Sequence, residues 1–490
     1  MDGHPNIVFI MTDNESADTL GCYGNKEMHS PNLDQLAAEG IRFNNAFCAN
    51  AMCSPGRASA LTGLLPCQHG IHTWLDDRLV DQWPKNWNAL EGISTLAEIL
   101  GKNHYDTAMV GKYHLGIPFE AQNGFDHWVT FARGHTVSFY GNTMVENGKT
   151  HIYDEHSVDF FTDKAVEYIN ARATMDKPFF LYVPYNGPYG HWPAIKGPPD
   201  NRFAHVYEDT PMHSVPREGL SENTVKIYDL QKDLSGPGGP DFSSLLRIPN
   251  DLDSLRNYYS QMSIVDDGVG QIMDALDSNG LDNDTLVIFT ADHGFSLGHR
   301  GFWGHGQATW PSNLHRVAYN IPMLLRHPGA IKDKQISDMH LSGVDLFSTI
   351  LDYAGLDNMN VNPDVPSRSF TPLLQGEEED WDDVVYFEQE ESRGIRTKDW
   401  LLMKRFKGSE TYPLNDELYD INSDPEERQN LGDDPEFSNI VENLSDRVET
   451  YFNRYADRKY DLWKGGTVKS NTSRPWLWRD AWGENWKPVT

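Results

Sequence analysis

Cysteine is scarce in this chain, since four cysteines in 490 residues do not make a disulfide framework. Long apolar runs are also absent, so no segment is expected to cross a membrane. Basic residues are outnumbered, with 41 Lys and Arg against 72 Asp and Glu and a formal charge of −31. We therefore expect no nucleic-acid partner, because binding to nucleic acid needs a basic surface.

The N-terminus lacks a visible signal peptide, because the first apolar strand begins almost at once. We therefore expect a cytoplasmic protein, or a periplasmic or secreted one if a leader has been removed. The sequence leaves open whether the chain forms an oligomer.

Strand-like and helix-like segments alternate along the chain. Helices are predicted over residues 31–40, 94–100, 158–171, 255–276 and 345–353 from apolar periodicity and helix-start residues. This alternation predicts an α/β fold with a large, mostly parallel sheet sandwiched by helices.

The length suffices for two domains. An acidic run at residues 377–380 marks the predicted boundary between them. We expect a catalytic domain over residues 1–375 and a smaller C-terminal domain, with a Trp-rich tail, over residues 376–490.

Two apolar strands end on a carboxylate. One runs from Asn6 to Asp13 and is followed by Asn14, and the other ends at Asp292-His293. In open α/β sheets ligands gather outside the carboxyl ends of strands, so Asp13 and Asp292 are predicted to meet around one cation. The alternative is a pair of ordinary turns, in which Asp is common.

Cys53 opens a second motif, which reads Cys53-Ser54-Pro55-Gly56-Arg57 and leads into a helix of small residues. Proline suits a first helical turn. Cys53 is therefore placed near a helix N-terminus, which favours anions. Arg57 lies one helical turn after Cys53, so its side chain can lie on the same face of the helix. The alternative is a small buried cysteine beside a surface arginine.

A third segment, residues 105–116, contains Lys112 and His114. Alternation within a short strand is predicted to send both side chains to one side. A cation there can hold an anionic oxygen, and an imidazole can move protons near neutral pH. As an isolated strand end, the same pair would carry no function.

These segments together resemble the type I, formylglycine-dependent sulfatases of the alkaline-phosphatase-like superfamily. The Cys53 motif resembles the family's maturation signature, and residues 105–116 resemble its second signature. Residues 393–400 and 417–431 look like the family's smaller domain. The resemblance implies an alkaline-phosphatase-like α/β fold with a smaller C-terminal α+β domain, and hydrolysis of a sulfate ester.

The resemblance also implies a cofactor chemistry. A maturation enzyme would oxidise Cys53 to formylglycine, whose hydrate attacks sulfur and holds the sulfate covalently. One divalent cation would be ligated by Asp13, Asn14, matured residue 53, Asp292 and His293. Arg57 would hold the diol, Lys112 would neutralise developing charge, and His114 would take the proton that releases sulfate.

Several positions depart from the family pattern. Asn14 stands where a second aspartate is usual, and His293 stands where asparagine is common. Fewer carboxylates and an imidazole favour manganese, although calcium stays the first expectation by family. Gly56 replaces the commoner Ser or Ala of the maturation signature.

Two histidines align only approximately with family residues. His305 takes the place of a sulfate-binding lysine. His191 follows the strand at residues 179–183, out of register, and is the candidate general acid that protonates the leaving alcohol. Packing roles are the alternative for both.

Substrate choice is expected to depend on two segments. Residues 192–250 are rich in Pro, Gly and charge and read as a long functional loop. The tail holds aromatic rings suited to a sugar or a neighbouring subunit, with packing on its own domain as the favoured alternative. These rings are Trp463, Trp476, Trp478, Trp482 and Trp486.

Three functions compete at this point. The first is a sulfatase, acting on a sulfated carbohydrate ahead of a small alkyl or aryl sulfate. The second is a phosphonate monoester or phosphodiester hydrolase of the same superfamily, which Asn14 and His293 favour. The third is a non-catalytic binding protein, disfavoured because all the chemical groups are present.

Overall fold

The structure, a computed structural model, describes residues 4–234, 242–356, 364–377 and 380–490. Its strands are β1 (Asn6–Asp13), β2 (Ile41–Phe47), β3 (Asp106–Val110), β4 (His127–Phe131), β5 (Asn142–Glu146), β6 (Lys149–Tyr153), β7 (Phe179–Pro188), β8 (Thr285–Ala291), β9 (Met323–Arg326), β10 (Gln335–Ser342), β11 (Val385–Gln389), β12 (Ser392–Arg396), β13 (Trp400–Arg405) and β14 (Glu417–Asp420).

The α-helices of the same part of the chain match most of the predicted ones within a few residues. They are α1 (Pro31–Ala38), α2 (Cys53–Thr62), α3 (Pro66–His69), α4 (Leu96–Lys102), α5 (Ser157–Arg172), α6 (Ala204–Tyr207), α7 (Glu222–Leu234), α8 (Leu252–Ser278), α9 (Arg316–Tyr319), α10 (Asp345–Tyr353), α11 (Thr371–Leu374), α12 (Ser438–Tyr455) and α13 (Pro475–Trp482).

Ten strands form one mixed sheet in the order β10-β2-β9-β8-β1-β7-β3-β4-β5-β6. Its centre is parallel, since β1 pairs in parallel with both β7 and β8, and β7 with β3. Strand β9 runs antiparallel between β8 and β2. The predicted α/β fold with a large, mostly parallel sheet is confirmed.

Strand β1 explains why helices cover both faces of this sheet. Its side chains alternate between two hydrophobic clusters: Ile7, Phe9 and Met11 join one, and Val8 and Ile10 join the other. All five are at most 1% exposed. Such an unbroken apolar strand belongs in a parallel sheet that is buried on both sides.

The carboxyl ends of the central strands meet at one edge of the sheet. Strand β1 ends at Asp13, β8 is followed directly by Asp292, and α2 begins at Cys53 after β2. Strand β3 ends at Val110. The prediction that strand alternation orients the side chains of Lys112 and His114 was therefore wrong, because both lie in the loop beyond the strand.

Strands β11 to β14 form a smaller antiparallel sheet, as predicted for the C-terminal part. Phe387 and Met403 of this sheet join the same hydrophobic cluster as β1. Two residues of the acidic boundary run, Glu378 and Glu379, lie outside the described residues. The division at 375/376 stays a prediction.

The Trp-rich tail packs against its own chain, which was the favoured alternative. Trp478 is fully buried and Trp486 is 9% exposed, in a cluster with Phe406 and Leu462. Trp482 is 38% exposed. Among the described residues, no helix has the length and apolar character needed to cross a membrane.

Candidate active site

Cys53 is the first residue of α2, as the motif predicted. The preceding residue Met52 is extended, and the helix ends at Gly63 in the left-handed region, φ 69°. Every residue of α2 is buried. The helix therefore holds the Cys53 side chain against the strand ends rather than in solvent.

Three side chains surround the Cys53 sulfur. Sγ lies 3.3 Å from Asp13 Oδ1, 3.4 Å from His293 Nε2 and 3.9 Å from Asn14 Oδ1. The ligand atoms of Asp13, Cys53, Asp292 and His293 all lie within 4.8 Å of one another. The structure thus brings together the five residues predicted to share one cation.

His293 is oriented by its own chain. Its Nδ1 lies 2.7 Å from the Gly294 carbonyl oxygen and donates to it. The other ring nitrogen, Nε2, faces Cys53. This arrangement, with one nitrogen held by a carbonyl, is typical of metal-ligating histidines.

Two buried cations pair with the aspartates. Arg57 Nε donates to Asp292 Oδ2 at 2.9 Å, and Arg57 also donates to the Lys112 carbonyl oxygen at 2.9 Å. Lys112 Nζ donates to Asp13 Oδ2. All four side chains are fully buried. Each carboxylate is compensated, as burial of charge requires.

These charges set the ionisation of the site. Burial favours the protonated form of the Asp13 carboxyl. The Lys112 and Arg57 cations outweigh this effect and hold the pKa of Asp13 below its usual range. Burial and the Asp13 carboxylate raise the pKa of Asp292. The same two causes raise the pKa of the Cys53 thiol well above its ordinary value. The encoded thiol is therefore protonated and a poor nucleophile.

His114 has one free ring nitrogen. Nε2 donates to the Leu75 carbonyl oxygen at 2.9 Å, while Nδ1 is buried and, within the described residues, has no hydrogen-bond partner. Burial and the Lys112 cation lower the pKa of His114 well below its usual value. Nδ1 therefore carries a lone pair and can accept a proton.

A cavity of about 350 Å³ opens above Cys53, and His191 and His305 line it. The two rings lie 5.4 Å apart, and the His305 ring lies 5.8 Å from that of His293. Burial, followed by the nearby His293, lowers the pKa of His191 to about 3. Both predicted histidines thus face the same cavity as Cys53.

A family model described as Sulfatase matches residues 5–356. The chain belongs to the sulfatase family. A second model, described as N-sulphoglucosamine sulphohydrolase, C-terminal, matches residues 313–454 of this sulfatase. The protein is an enzyme that hydrolyses sulfuric esters, and the family's alkaline-phosphatase-like fold accounts for the large sheet.

Relatives of this sulfatase match nearly its whole length. The N-acetylglucosamine-6-O-sulfatase of Bacteroides thetaiotaomicron is 27% identical, over 93% of this chain and 88% of the relative. A structure solved with its substrate D-glucosamine-2-N,6-O-disulfate has a TM-score of 0.74 at 25% identity, over 94% of this chain and 99% of the other. The phosphonate monoester hydrolase of Agrobacterium radiobacter shares the fold, with a TM-score of 0.67 at 20% identity, over 93% and 96% of the two chains.

Asp77 and His135 are among the polar residues that line the sulfatase's cavity and that sequence reasoning missed. Asp77 begins a short 3-10 turn, Asp77–Gln82, and His135 lies in the loop between β4 and β5. Neither stands in a motif. They are 58 residues apart in the chain and meet only through the fold.

The long loop borders the cavity of the sulfatase. Trp192 and Leu245, from the two ends of residues 192–250, line it together with Trp74. Between them lie α6 and α7, so the loop has more helix than its composition predicted.

Proposed function

We propose that this sulfatase hydrolyses a sulfate ester of a carbohydrate, with formylglycine at position 53 and one divalent cation. The observation that carries the proposal is the ring of Asp13, Asn14 and His293 around the Cys53 sulfur. A sugar substrate is supported by the relative named for, and by the solved structure bound to, a sulfated glucosamine.

The donor set fits a divalent cation. Two carboxylates, one amide oxygen and one imidazole nitrogen, from Asp13, Asp292, Asn14 and His293, would hold it together with the matured residue 53. The oxygen of the Asn14 amide faces Cys53. Its nitrogen, Nδ2, is buried and has no hydrogen-bond partner among the described residues. Calcium is our first expectation, with manganese favoured by the imidazole. When bound, the cation would neutralise charge that develops on the sulfate.

Residue 53 would act as the nucleophile once matured by a formylglycine-generating enzyme. The hydrated aldehyde supplies a hydroxyl that a thiol cannot match, because its second hydroxyl allows sulfate to be eliminated. Arg57 is placed one turn along α2, where its guanidinium offsets negative charge at the site. Its hydrogen bonds to Asp292 and to the Lys112 carbonyl fix this position.

The remaining residues handle protons and sulfate oxygens. His114 Nδ1, with its lone pair, would accept the proton whose loss releases sulfate. Lys112, whose ammonium also lies 5.2 Å from the Tyr189 ring centroid, would bind a sulfate oxygen. His305 would replace the family's sulfate-binding lysine, and the family resemblance gives His191 the general acid's role.

A sulfate-release assay tests the proposal. Purified protein is incubated with N-acetylglucosamine 6-sulfate, other sulfated amino sugars and 4-nitrophenyl sulfate, and peptide mass analysis reports the state of residue 53. We expect sulfate release from a sugar ester, and none from Cys53→Ala. Protein that carries formylglycine and calcium or manganese, yet releases no sulfate from any ester, would refute the proposal.

Hydrolysis of a phosphonate monoester or phosphodiester is the second candidate, because Asn14 and His293 replace the residues usual in sulfatases. The same protein is assayed in parallel with a phenyl phosphonate monoester. A kcat/KM for that ester above the value for every sulfate ester would favour the second candidate. An intact thiol at residue 53 in active-host material would favour a binding protein.

A further inference from the structure

A histidine–carboxylate pair lies on the solvent side of the cavity, apart from the residues assigned so far. His135 Nδ1 is 3.2 Å from Asp77 Oδ2, and the two side chains are 28% and 30% exposed. Asp77 also accepts the backbone N–H groups of Gly134 and His135, each at 3.0 Å. The carboxylate is therefore fixed by backbone contacts and in turn fixes the imidazole.

The loop that carries His135 is packed tightly on His114. The two imidazole rings meet edge to face, with centroids 4.8 Å apart. A Cβ atom at Gly134 would lie 2.1 Å from His114 Cδ2, so only glycine lets the loop approach this closely. His135 is thereby held beside a residue of the proposed catalytic machinery, in the cavity that contains Cys53.

The Asp77 contact determines which ring nitrogen of His135 is available. Nδ1–H donates to the carboxylate, so Nε2 is the ring nitrogen that this contact leaves available. A carboxylate on Nδ1 orients an imidazole and stabilises its protonated form. His191 and His305 also line this cavity, but in the described part of the chain no carboxylate hydrogen-bonds to either ring.

We infer that His135, oriented by Asp77, is a further catalytic residue of the sulfatase reaction and protonates the leaving sugar alcohol. The inference rests on the proposed function and gives His135 the role that the resemblance gives to His191. As the S–O bond breaks, its electron pair goes to the sugar oxygen. That oxygen takes the proton from Nε2 of His135, and the electron pair of the N–H bond stays on nitrogen. Solvent water then returns a proton to the partly exposed ring.

Two esters with different leaving groups test this role. A sugar alkoxide needs a proton as it leaves, whereas 4-nitrophenolate is a stable anion that leaves without one. For His135→Gln we expect kcat/KM to fall about 10²–10³-fold on the best sugar sulfate of the panel, the size of general-acid catalysis. On 4-nitrophenyl sulfate the same variant should stay within about threefold.

Two further variants serve as a second test and as a control. Asp77→Asn should show the same selective loss on the sugar ester, because it removes the carboxylate that accepts from Nδ1–H and orients the ring. His151→Gln is the matched control: His151 also pairs with a carboxylate, Glu146 at 3.3 Å, but on the edge strand β6. It should leave both kcat/KM values unchanged.

Several outcomes would overturn the inference. An equal loss on both esters would assign His135 and Asp77 a structural role, and no loss on either would remove them from the reaction. A selective loss in His191→Gln but not in His135→Gln would return the role to His191. Matured wild-type protein that hydrolyses neither ester would count against the proposed function itself, not against the division of roles.

Discussion

Asn14 and His293 are the two proposed metal ligands at which the resemblance implies other residues in many sulfatases. Both face the Cys53 sulfur, the amide oxygen at 3.9 Å and the imidazole nitrogen at 3.4 Å. An amide and an imidazole make the donor set less charged and softer than one built from carboxylates. In the proposed metal site, the choice of cation should therefore depend on these two side chains.

Exchanging these two side chains should alter metal preference. In the double variant Asn14→Asp with His293→Asn, we expect the affinity for Ca²⁺ relative to Mn²⁺ to rise about tenfold or more, because calcium prefers charged oxygen ligands. Calorimetric titration of each metal into metal-free protein measures the ratio. An unchanged ratio would mean that these side chains do not bind the cation.

Helix α2 owes its position to the glycine within the Cys53 motif. A Cβ atom at Gly56 would lie 2.3 Å from the carbonyl oxygen of Asp292. The helix therefore packs backbone to backbone against the end of β8. Glycine at position 56 permits this contact, which sets how closely Cys53 approaches the aspartates.

Gly56→Ala should separate α2 from β8. We expect a loss of about 1–3 kcal/mol in the free energy of unfolding, as for other overpacked sites, together with a lower kcat. Urea denaturation and sulfate release measure the two effects.

Gly101→Ala provides the comparison for this variant, because Gly101 lies exposed in α4 and a Cβ there meets nothing closer than 3.7 Å. That change should stabilise the protein by about 0.5–1 kcal/mol, since alanine is the better helix former. Equal effects of the two substitutions would contradict the proposed contact.

The elements that sequence predicted best are those with strong local signals. Helix α10 has the predicted bounds, and β1 and β8 follow unbroken apolar runs. Lys112 and His114 lie beyond their strand because β3 is short, and apolar spacing does not determine where pairing stops. For α8 the structure adds residues at both ends of the predicted 255–276, since helix ends depend on capping and neighbours.

The residues of the candidate site also differ in whether the sequence around them carries a local signal. Asp13, Cys53 and Asp292 stand in local patterns and were found. Asp77 and His135 come from a turn and a loop whose meeting depends on the fold, and neither carries a local signal. Residues of this kind become visible only when the cavity is known.

At the scale of the whole molecule, buried neutral histidines couple stability to pH. His69 Nδ1 accepts the backbone N–H of Ile71 at 3.1 Å, and Nε2 lies 3.3 Å from the Ser59 hydroxyl. Burial lowers the pKa of His69 well below its ordinary value, and burial also lowers the pKa of His156. In the unfolded chain both regain a pKa of about 6.5.

Acid should therefore destabilise the fold. Below pH 6.5 the unfolded chain binds protons that the folded histidines do not, so the free energy of unfolding falls as pH falls. The slope is at most about 1.4 kcal/mol per pH unit for each such histidine. Urea denaturation at pH 8, 7, 6 and 5 measures it.

The variant His69→Gln should make this slope shallower, whereas His205→Gln, at an exposed residue, should not change it. A free energy of unfolding that rises toward pH 5 would contradict the sign of the effect.

The buried carboxylate of Glu390 ties the tail to the cavity wall. It accepts hydrogen bonds from Gln307 Nε2 at 2.9 Å, from the Ser473 backbone N–H at 2.9 Å and from Trp478 Nε1 at 3.0 Å. Gln307 is two residues from His305. The C-terminal segment thus supports a residue of the proposed sulfate site without lining the cavity itself.

Glu390→Ala should loosen this support. With several buried donors left unsatisfied, we expect a loss of about 3 kcal/mol or more in the free energy of unfolding, and a higher KM for the sulfate ester. Glu410→Ala, at an exposed residue, should change neither. A Glu390→Ala protein that is destabilised but keeps the wild-type KM would show that the tail does not support the sulfate site.

The position of this anchor has a consequence for biosynthesis. Residues 472–478 are synthesised well after His305, so the segment around His305 lacks this support until they have left the ribosome. A nascent chain that has not yet reached residue 478 would hold Asp13, Cys53 and Asp292 in place before the segment around His305 was supported. Catalytic competence would then require synthesis of this C-terminal segment, rather than growing as each strand is made.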